Sequence, residues 1–298
     1  MTNKNAEEIL QLINKIISLD QGNIFQLRKD FEQLYIQYRS KQELIVESQN
    51  ISDIPGFKIC AENAQDDYTI LFFHGGGFTL GSTKDHLDLC GKLSRSSGAC
   101  VFSIDYRLAP EYKFPAAVED CVTSYLWLLK QGIEPSKIVI AGISTGATLV
   151  LSTILYLRDN GVELPAAAVC MSPAVDMLFQ GHSIITNRGK DWVTQKRLDN
   201  LKKTYLKSHD LMNPLVSPIY ADLHGLPPLF IQAGSHEQFL DDIIIFHKKA
   251  KESELEVTFE LWQDMFHCFQ MFSSCILEGQ NAIDSAGDYI KKMLNIRK

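Results

Sequence analysis

One serine lies in a setting that activates hydroxyl groups. Ser144 is at the centre of AGISTGA, residues 141–147, where Gly142 and Gly146 flank it in a G-x-S-x-G pattern. The apolar run KIVI precedes the pattern and a helical pattern follows it. A strand, a tight turn and a helix in this order expose a serine hydroxyl as a nucleophile. The alternative is a serine that only caps a helix, but the preceding strand favours the nucleophile.

A run of glycines follows an earlier apolar strand. HGGGF occupies residues 74–78, directly after YTILFF. Because glycine has no side chain, its backbone N–H can approach a bound substrate closely. Attack by a serine on a carbonyl creates a negatively charged oxygen, which preorganised N–H donors stabilise. We therefore expect the N–H groups of Gly76, Gly77 and Thr145 to form an oxyanion hole. We expect His74 to anchor the loop by hydrogen bonding.

Composition excludes several classes of protein. The chain has 298 residues, is 45% hydrophobic and 22% charged, and carries a net charge of −7, so nucleic acid is not an expected partner. No apolar run is long enough to span a membrane, and the N-terminus is unlike a signal peptide. The seven cysteines lack paired spacing and suggest free thiols in a reducing cytoplasm. No Cys/His cluster has the spacing of a zinc site, so no metal is expected.

Apolar runs and helical patterns alternate after residue 42. The runs that predict strands are ELIVES, FKICAE, YTILFF, CVFSIDY, KIVIAG, AAAVCMS, PLFIQAG and EVTFELW. Helical patterns lie near residues 84–97, 115–131, 145–159, 240–252 and 280–296. Alternation of this kind predicts an α/β fold, in which helices flank a mostly parallel eight-stranded sheet.

Two helical segments stand outside this alternation. Two amphipathic helices are predicted before residue 42, and a long, partly helical stretch separates AVCMSP from LPPLFIQAG. We expect residues 1–42 and the insertion 178–212 to form a helical cap over the strand ends. Residues 43–177 and 213–298 would then form the two parts of the core. The alternative is that both segments are extra helices packed on the fold.

The motifs occur together in a familiar order. HGGGF is followed by DYRLAPE (105–111), FPAAVED (114–120), the G-x-S-x-G pattern and NPLVSPIYADLHGLPPL (213–229). With these motifs the sequence resembles the hormone-sensitive lipase family of α/β-hydrolases, from residue 68 to about residue 295. The resemblance implies an α/β-hydrolase fold, and the N-terminal helices match the family only in kind. The chain departs from the family where Ile143 and Thr145 stand, since the family usually has Asp and Ala there.

The same resemblance points to a base and an acid. The chain order in α/β-hydrolases is serine, acid, histidine. Of eight histidines, His267 alone lies just past the last predicted strand, in WQDMFHCF, where the family carries its base. Glu237, Asp241 and Asp242 are candidates for the acid. The family's D-P-L-x-D motif, laid on EQFLD, places Glu237 at the acid position, and the two aspartates are expected to face outward on the following helix.

These residues predict a serine carboxylesterase that acts on short- to medium-chain esters through an acyl-enzyme. Ser144 would be the nucleophile, His267 the base and Glu237 the acid. No cofactor is implied, and a homodimer is compatible with the family. An amidase or a lactonase could use the same triad. A ligand-binding receptor on this fold, or an enzyme that has lost activity, are further alternatives, and the retained His267 argues against a receptor.

Overall fold

The computed structural model describes residues 4–18, 22–206 and 211–296. Eight strands form one sheet, and all eight coincide with predicted apolar runs. They are β1 (Leu44–Ile51), β2 (Ile54–Ala61), β3 (Gln65–Phe73), β4 (Ala99–Ile104), β5 (Ile138–Ile143), β6 (Ala167–Met171), β7 (Leu229–Gly234) and β8 (Val257–Trp262). Their order across the sheet is β1-β2-β4-β3-β5-β6-β7-β8. Strand β2 pairs antiparallel with both of its neighbours, and all other pairs are parallel.

Helices connect the strands and cover the sheet. They are α1 (Lys4–Ser18), α2 (Ile24–Gln37), α3 (Leu87–Ser97), α4 (Ala116–Lys130), α5 (Thr145–Asp159), α6 (Ser183–Thr186), α7 (Gln195–Tyr205), α8 (Leu240–Glu252) and α9 (Leu277–Met293). From β3 the chain crosses to β4 on one side and then back to β5 on the other. Because such crossovers are right-handed, α3 and α4 cover opposite faces of the sheet. The predicted α/β fold is therefore confirmed, although α9 begins three residues before the predicted helix.

The central strands lie between two layers of helices. Every residue of β4, β5, β6 and β7 is buried. This agrees with their continuous apolar sequences, since a strand covered on both faces has no polar side to alternate with. Among the described residues, no helix is both long and apolar enough to cross a bilayer.

Helix α2, the second of the two N-terminal helices, hydrogen-bonds to the loop that follows the glycines. Asn23 caps it by accepting hydrogen bonds from the N–H groups of Phe25 and Gln26. Arg28 donates to the carbonyl oxygens of Thr79 and Ala109 at 2.8 and 3.0 Å. Its guanidinium also makes a two-pronged ion pair with Glu111, at 2.8 and 2.9 Å. A planar guanidinium suits this bidentate geometry. Phe25, in the first turn of α2, is 61% exposed.

The prediction of seven free thiols is wrong for two cysteines. Cys60 in β2 and Cys100 in β4 form a disulfide, with their Cα atoms 4.6 Å apart. Ile59 pairs with Val101 in the antiparallel register, so the next residue of β2 faces Cys100. Their separation of 40 residues in sequence hides this pairing. The other five cysteines are free thiols, as predicted.

Candidate active site

Ser144 occupies the sharp turn between β5 and α5. Its φ of 57° and ψ of −126° fall outside the regions that non-glycine residues usually adopt. The turn brings α5 against β3 so closely that a Cβ on Gly146 would lie 2.1 Å from the carbonyl oxygen of Phe73. A Cβ on Gly142 would lie 2.6 Å from the backbone of Gly146. Glycine is therefore required on both sides, and the turn carries the Ser144 hydroxyl at the carboxyl end of β5.

The structure brings the three residues predicted as a triad into one hydrogen-bonded row. Ser144 Oγ lies 2.8 Å from His267 Nε2, and His267 Nδ1 lies 2.9 Å from Glu237 Oε2. Ser144, Glu237 and His267 lie in three different loops, which follow β5, β7 and β8, respectively. All three side chains are at least nine-tenths buried. In this order a base can take the serine proton while the carboxylate orients the ring.

The other oxygen of Glu237 is also fixed. Oε1 accepts hydrogen bonds from the Ser172 hydroxyl at 2.7 Å and from the Gly234 N–H at 2.6 Å. These donors satisfy a carboxylate that is wholly buried. Oε2 therefore keeps one orientation toward the imidazole. Ser172 follows β6 at a φ of 49°, and no motif in the sequence singled it out.

The two alternative acids lie elsewhere. Asp241 Oδ2 accepts a hydrogen bond from the Ser183 N–H at 2.9 Å, which ties α8 to α6. Asp242 is only 3% exposed, so the prediction that it faces outward is wrong. It lies in the first turn of α8, against Gly181. Burial and the charges of Asp176 and Asp241 raise its pKa to about 7. Neither carboxylate hydrogen-bonds to His267.

Two opposing effects act on the pKa of His267. Burial opposes the charged ring and lowers the pKa, whereas the neighbouring side chains of Cys268 and Glu237 favour the imidazolium. The net effect is a pKa well above the usual 6.5. Burial outweighs the other effects for two histidines near the glycine loop, because no carboxylate among the described residues hydrogen-bonds to them. The pKa of His74 is lowered, and that of His86 falls to about 3.

Local contacts fix the conformation of the glycine loop. Gly76 has a φ of 128°, and a Cβ there would lie 2.2 Å from the carbonyl oxygen of Leu80. His74 stacks on Tyr106, whose hydroxyl donates to the His74 carbonyl at 2.8 Å. His86 Nε2 accepts from the Gly75 N–H at 3.1 Å. His74 Nδ1 lies 2.8 Å from the Gly75 carbonyl oxygen, so the ring hydrogen-bonds within the loop as expected. His86 is a second support that the sequence did not reveal.

The three expected oxyanion donors differ in their bonding. In the part of the chain that the structure describes, the N–H groups of Gly76 and Thr145 have no hydrogen-bond acceptor. The Gly77 N–H, in contrast, donates to the Thr145 side-chain oxygen at 2.9 Å. All three residues line the same cleft as Ser144.

Asp191 is a buried carboxylate that the sequence did not reveal. Its Oδ1 accepts from the backbone N–H groups of Trp192 and His267, and its Oδ2 accepts from that of Gln238. The carboxylate thus joins the segment before α7 to the backbone of His267 and to the residue after Glu237. Burial raises its pKa to about 6. Only its distant partners give it a role, so no local pattern could have identified it.

A cleft of about 320 Å³ opens above Ser144. Its lining comes from the glycine loop, from the loops that carry Ser144 and His267, from α2, and from the insertion between β6 and β7 that contains α7. Trp192 donates its indole N–H to the His267 carbonyl at 2.7 Å. From α2, Phe31 lies against Trp192, with ring centroids 6.2 Å apart. On α7, Tyr205 stacks on Phe78 at 3.8 Å. The apolar walls suit the hydrocarbon part of a small molecule.

Glutamine at position 237 tests the acid. Glu237→Gln keeps the shape but loses the charge that stabilises the imidazolium, so we expect kcat/KM to fall by a factor on the order of 10⁴. Asp241→Asn and Asp242→Asn are matched controls that remove neighbouring carboxylates without touching His267. Steady-state kinetics should show far smaller losses for them. If either aspartate variant loses more activity than Glu237→Gln, the acid is misassigned.

The fold and these side chains define the class of α/β-hydrolases. A sequence profile of the alpha/beta hydrolase fold matches residues 70–271. An acetyl-hydrolase of Streptomyces hygroscopicus is 41% identical over 76% of each chain. An esterase of Acinetobacter venetianus is 33% identical over 88% of this chain and 87% of its own length.

Solved structures agree with the sequence relatives. An esterase from the bacterial hormone-sensitive lipase family superposes with a TM-score of 0.95 at 35% identity, over 99% of both chains. EstE5 soaked with p-nitrophenyl butyrate gives a TM-score of 0.91 at 34% identity, over 98% and 99%. The chain belongs to the hormone-sensitive lipase family of α/β-hydrolases, and it is a carboxylic ester hydrolase.

Proposed function

We propose that the chain is a serine carboxylesterase that hydrolyses short- to medium-chain esters through an acyl-enzyme. The observation that carries the proposal is the row of hydrogen bonds from Ser144 through His267 to Glu237, at 2.8 and 2.9 Å. A serine is a weak nucleophile by itself and requires an adjacent base. This row supplies the base and also orients it.

The reaction has two halves. In the first, His267 takes the hydroxyl proton as Ser144 Oγ attacks the ester carbonyl. Backbone N–H groups of the glycine loop and of Thr145 stabilise the oxyanion. His267 then gives the proton to the leaving alcohol, and the acyl group stays on Ser144. In the second half His267 activates water, which attacks the acyl-enzyme and releases the acid. No step requires a metal or a cofactor.

We further propose that residues 1–42 and 178–212 act as a cap that sets chain length. Residues 1–3, 19–21 and 207–210 of these segments lie outside the described residues. Support comes from Phe31 of α2 and from Trp192 and Leu201 before and within α7, all of which line the cleft. Each buried CH₂ contributes about 0.8 kcal/mol only while space remains. A covered cleft therefore favours acyl chains up to a limit.

A panel of p-nitrophenyl esters with acyl chains of two to sixteen carbons tests the proposed function. We expect kcat/KM to rise over the short chains and to fall steeply once the cleft is full. Ester turnover should far exceed that of matched anilides and lactones. No hydrolysis of any ester would support a receptor, and preferred turnover of an anilide or a lactone would support an amidase or a lactonase.

Arg28 allows the cap to be tested without truncation. Arg28→Gln removes the ion pair to Glu111 and weakens the attachment of α2, so longer acyl chains should be accepted and the optimum should broaden. Arg158→Gln is the matched control, because Arg158 also bonds one carboxylate and two carbonyls but lies at the far end of α5 from Ser144. An unchanged chain-length profile in Arg28→Gln would count against a cap role for α2.

A further inference from the structure

The side chain of Thr145 contacts the glycine loop. Its hydroxyl oxygen accepts the Gly77 N–H at 2.9 Å and lies 3.4 Å from the Phe78 N–H. Two consecutive amides of the loop thus point at one oxygen. The hydroxyl is buried at the first residue of α5, next to the nucleophile. A side-chain oxygen at position 145 therefore competes with a bound oxyanion for the N–H donors of the glycine loop.

The bond removes one donor from the set that an oxyanion could use. A donor acts on an oxyanion when it lies about 2.7–3.1 Å from the charged oxygen. The Gly77 N–H already has an acceptor at that range, whereas those of Gly76 and Thr145 have none among the described residues. An alanine at position 145 would have no oxygen to offer.

We propose that the Thr145 hydroxyl holds the Gly77 N–H in the resting enzyme and so limits how strongly this site stabilises the transition state. Thr145 acts through Gly77 and is in this respect a positioning residue, distinct from the direct use of its own N–H. The inference rests on the proposed function, since it requires an oxyanion formed at Ser144. As the oxyanion forms, the hydrogen bond from the Gly77 N–H to the Thr145 hydroxyl must break. The loss of this bond offsets part of the stabilisation that the Gly77 N–H gives to the oxyanion.

The changes expected in Thr145→Ala differ in direction from those expected if the Thr145 side chain only stabilised the fold. Thr145→Ala frees the Gly77 N–H, so we expect kcat on p-nitrophenyl acetate to rise about tenfold, a fraction of the effect of a full donor. KM should change little, because the added bond acts only in the transition state. Affinity for n-butylboronic acid, which forms a tetrahedral adduct with a nucleophilic serine, should rise by a similar factor. The melting temperature should fall, because the resting loop loses a hydrogen bond.

Two control variants isolate the hydroxyl. Thr145→Ser keeps an acceptor, so its affinity for the boronic acid should stay below that of Thr145→Ala. Thr148→Ala removes a comparable buried hydrogen bond on the same helix, to the Ala174 carbonyl, without touching the loop. If Thr145→Ala binds the boronic acid no more tightly than the unmodified chain, the inference is overturned. A gain of equal size in Thr148→Ala would also overturn it.

Failure of the underlying proposal has a different signature. If the proposed function holds, Ser144→Ala abolishes formation of the boronic acid adduct. An adduct that survives Ser144→Ala would refute the nucleophile and the inference together. An adduct that requires Ser144 but does not strengthen in Thr145→Ala would refute only the inference.

Discussion

Ser144→Ala is expected to lower kcat by a factor on the order of 10⁶, because the substitution removes the hydroxyl that we propose carries the acyl group. The substitution removes only an oxygen atom from a turn that Gly142 and Gly146 shape, so the melting temperature should change little. Steady-state hydrolysis of p-nitrophenyl butyrate measures the loss. Covalent labelling by a fluorophosphonate should disappear with it.

Ser152→Ala provides the matched control for the nucleophile. Ser152 lies two turns further along α5 and hydrogen-bonds to backbone carbonyls, away from the cleft. Its variant should still be labelled and should still turn over esters. A Ser144→Ala protein that kept more than a tenth of its activity would remove this residue from the mechanism.

His267→Ala is expected to cost a similar factor and also to change the response to pH. The base works only when neutral, so kcat/KM should rise through one ionisation and then level off. Because the pKa of His267 is raised well above 6.5, that rise should lie at correspondingly higher pH and the plateau should be alkaline. In His267→Ala the ionisation should vanish from whatever rate remains.

His74→Ala is the informative comparison for the base. His74 packs on Tyr106 within the glycine loop and has a lowered pKa. Its loss should disturb the oxyanion donors and reduce the rate, yet the ionisation of His267 should remain visible in the pH profile. Substantial activity with an unaltered profile in His267→Ala would mean that another group is the base.

Local patterns determine what the sequence could reveal. Ser144 and the glycines stand in short motifs, because a tight turn and close backbone approach need specific neighbours within a few residues. Strands β4 to β7 were predictable for a similar reason, since each is buried along its whole length and reads as a continuous apolar run. The placement of Glu237 needed a family motif as well, because its loop has no signal of its own.

The features that the sequence could not reveal depend on residues that are far apart along the chain. Asp191 gains its role from backbone groups up to 76 residues away, and a lone aspartate before a tryptophan carries no pattern. Cys60 and Cys100 meet only because β2 and β4 pair in one particular register. Asp242 was expected on the surface, but the insertion passes over the first turn of α8 and buries it. In each case tertiary packing overrides the local prediction.

The separation of Ser144, Glu237 and His267 along the chain also bears on how the protein folds. The bond between Ser144 and His267 joins residues 123 positions apart and depends on four neighbouring parallel strands, β5 to β8. Contacts of such long range form slowly, because the chain between them must be ordered first. Helical structure can therefore return early after denaturation, while catalytic competence must wait for the last of these strands to join the sheet. Recovery of ester hydrolysis consequently reports completion of the sheet, which helical content alone does not.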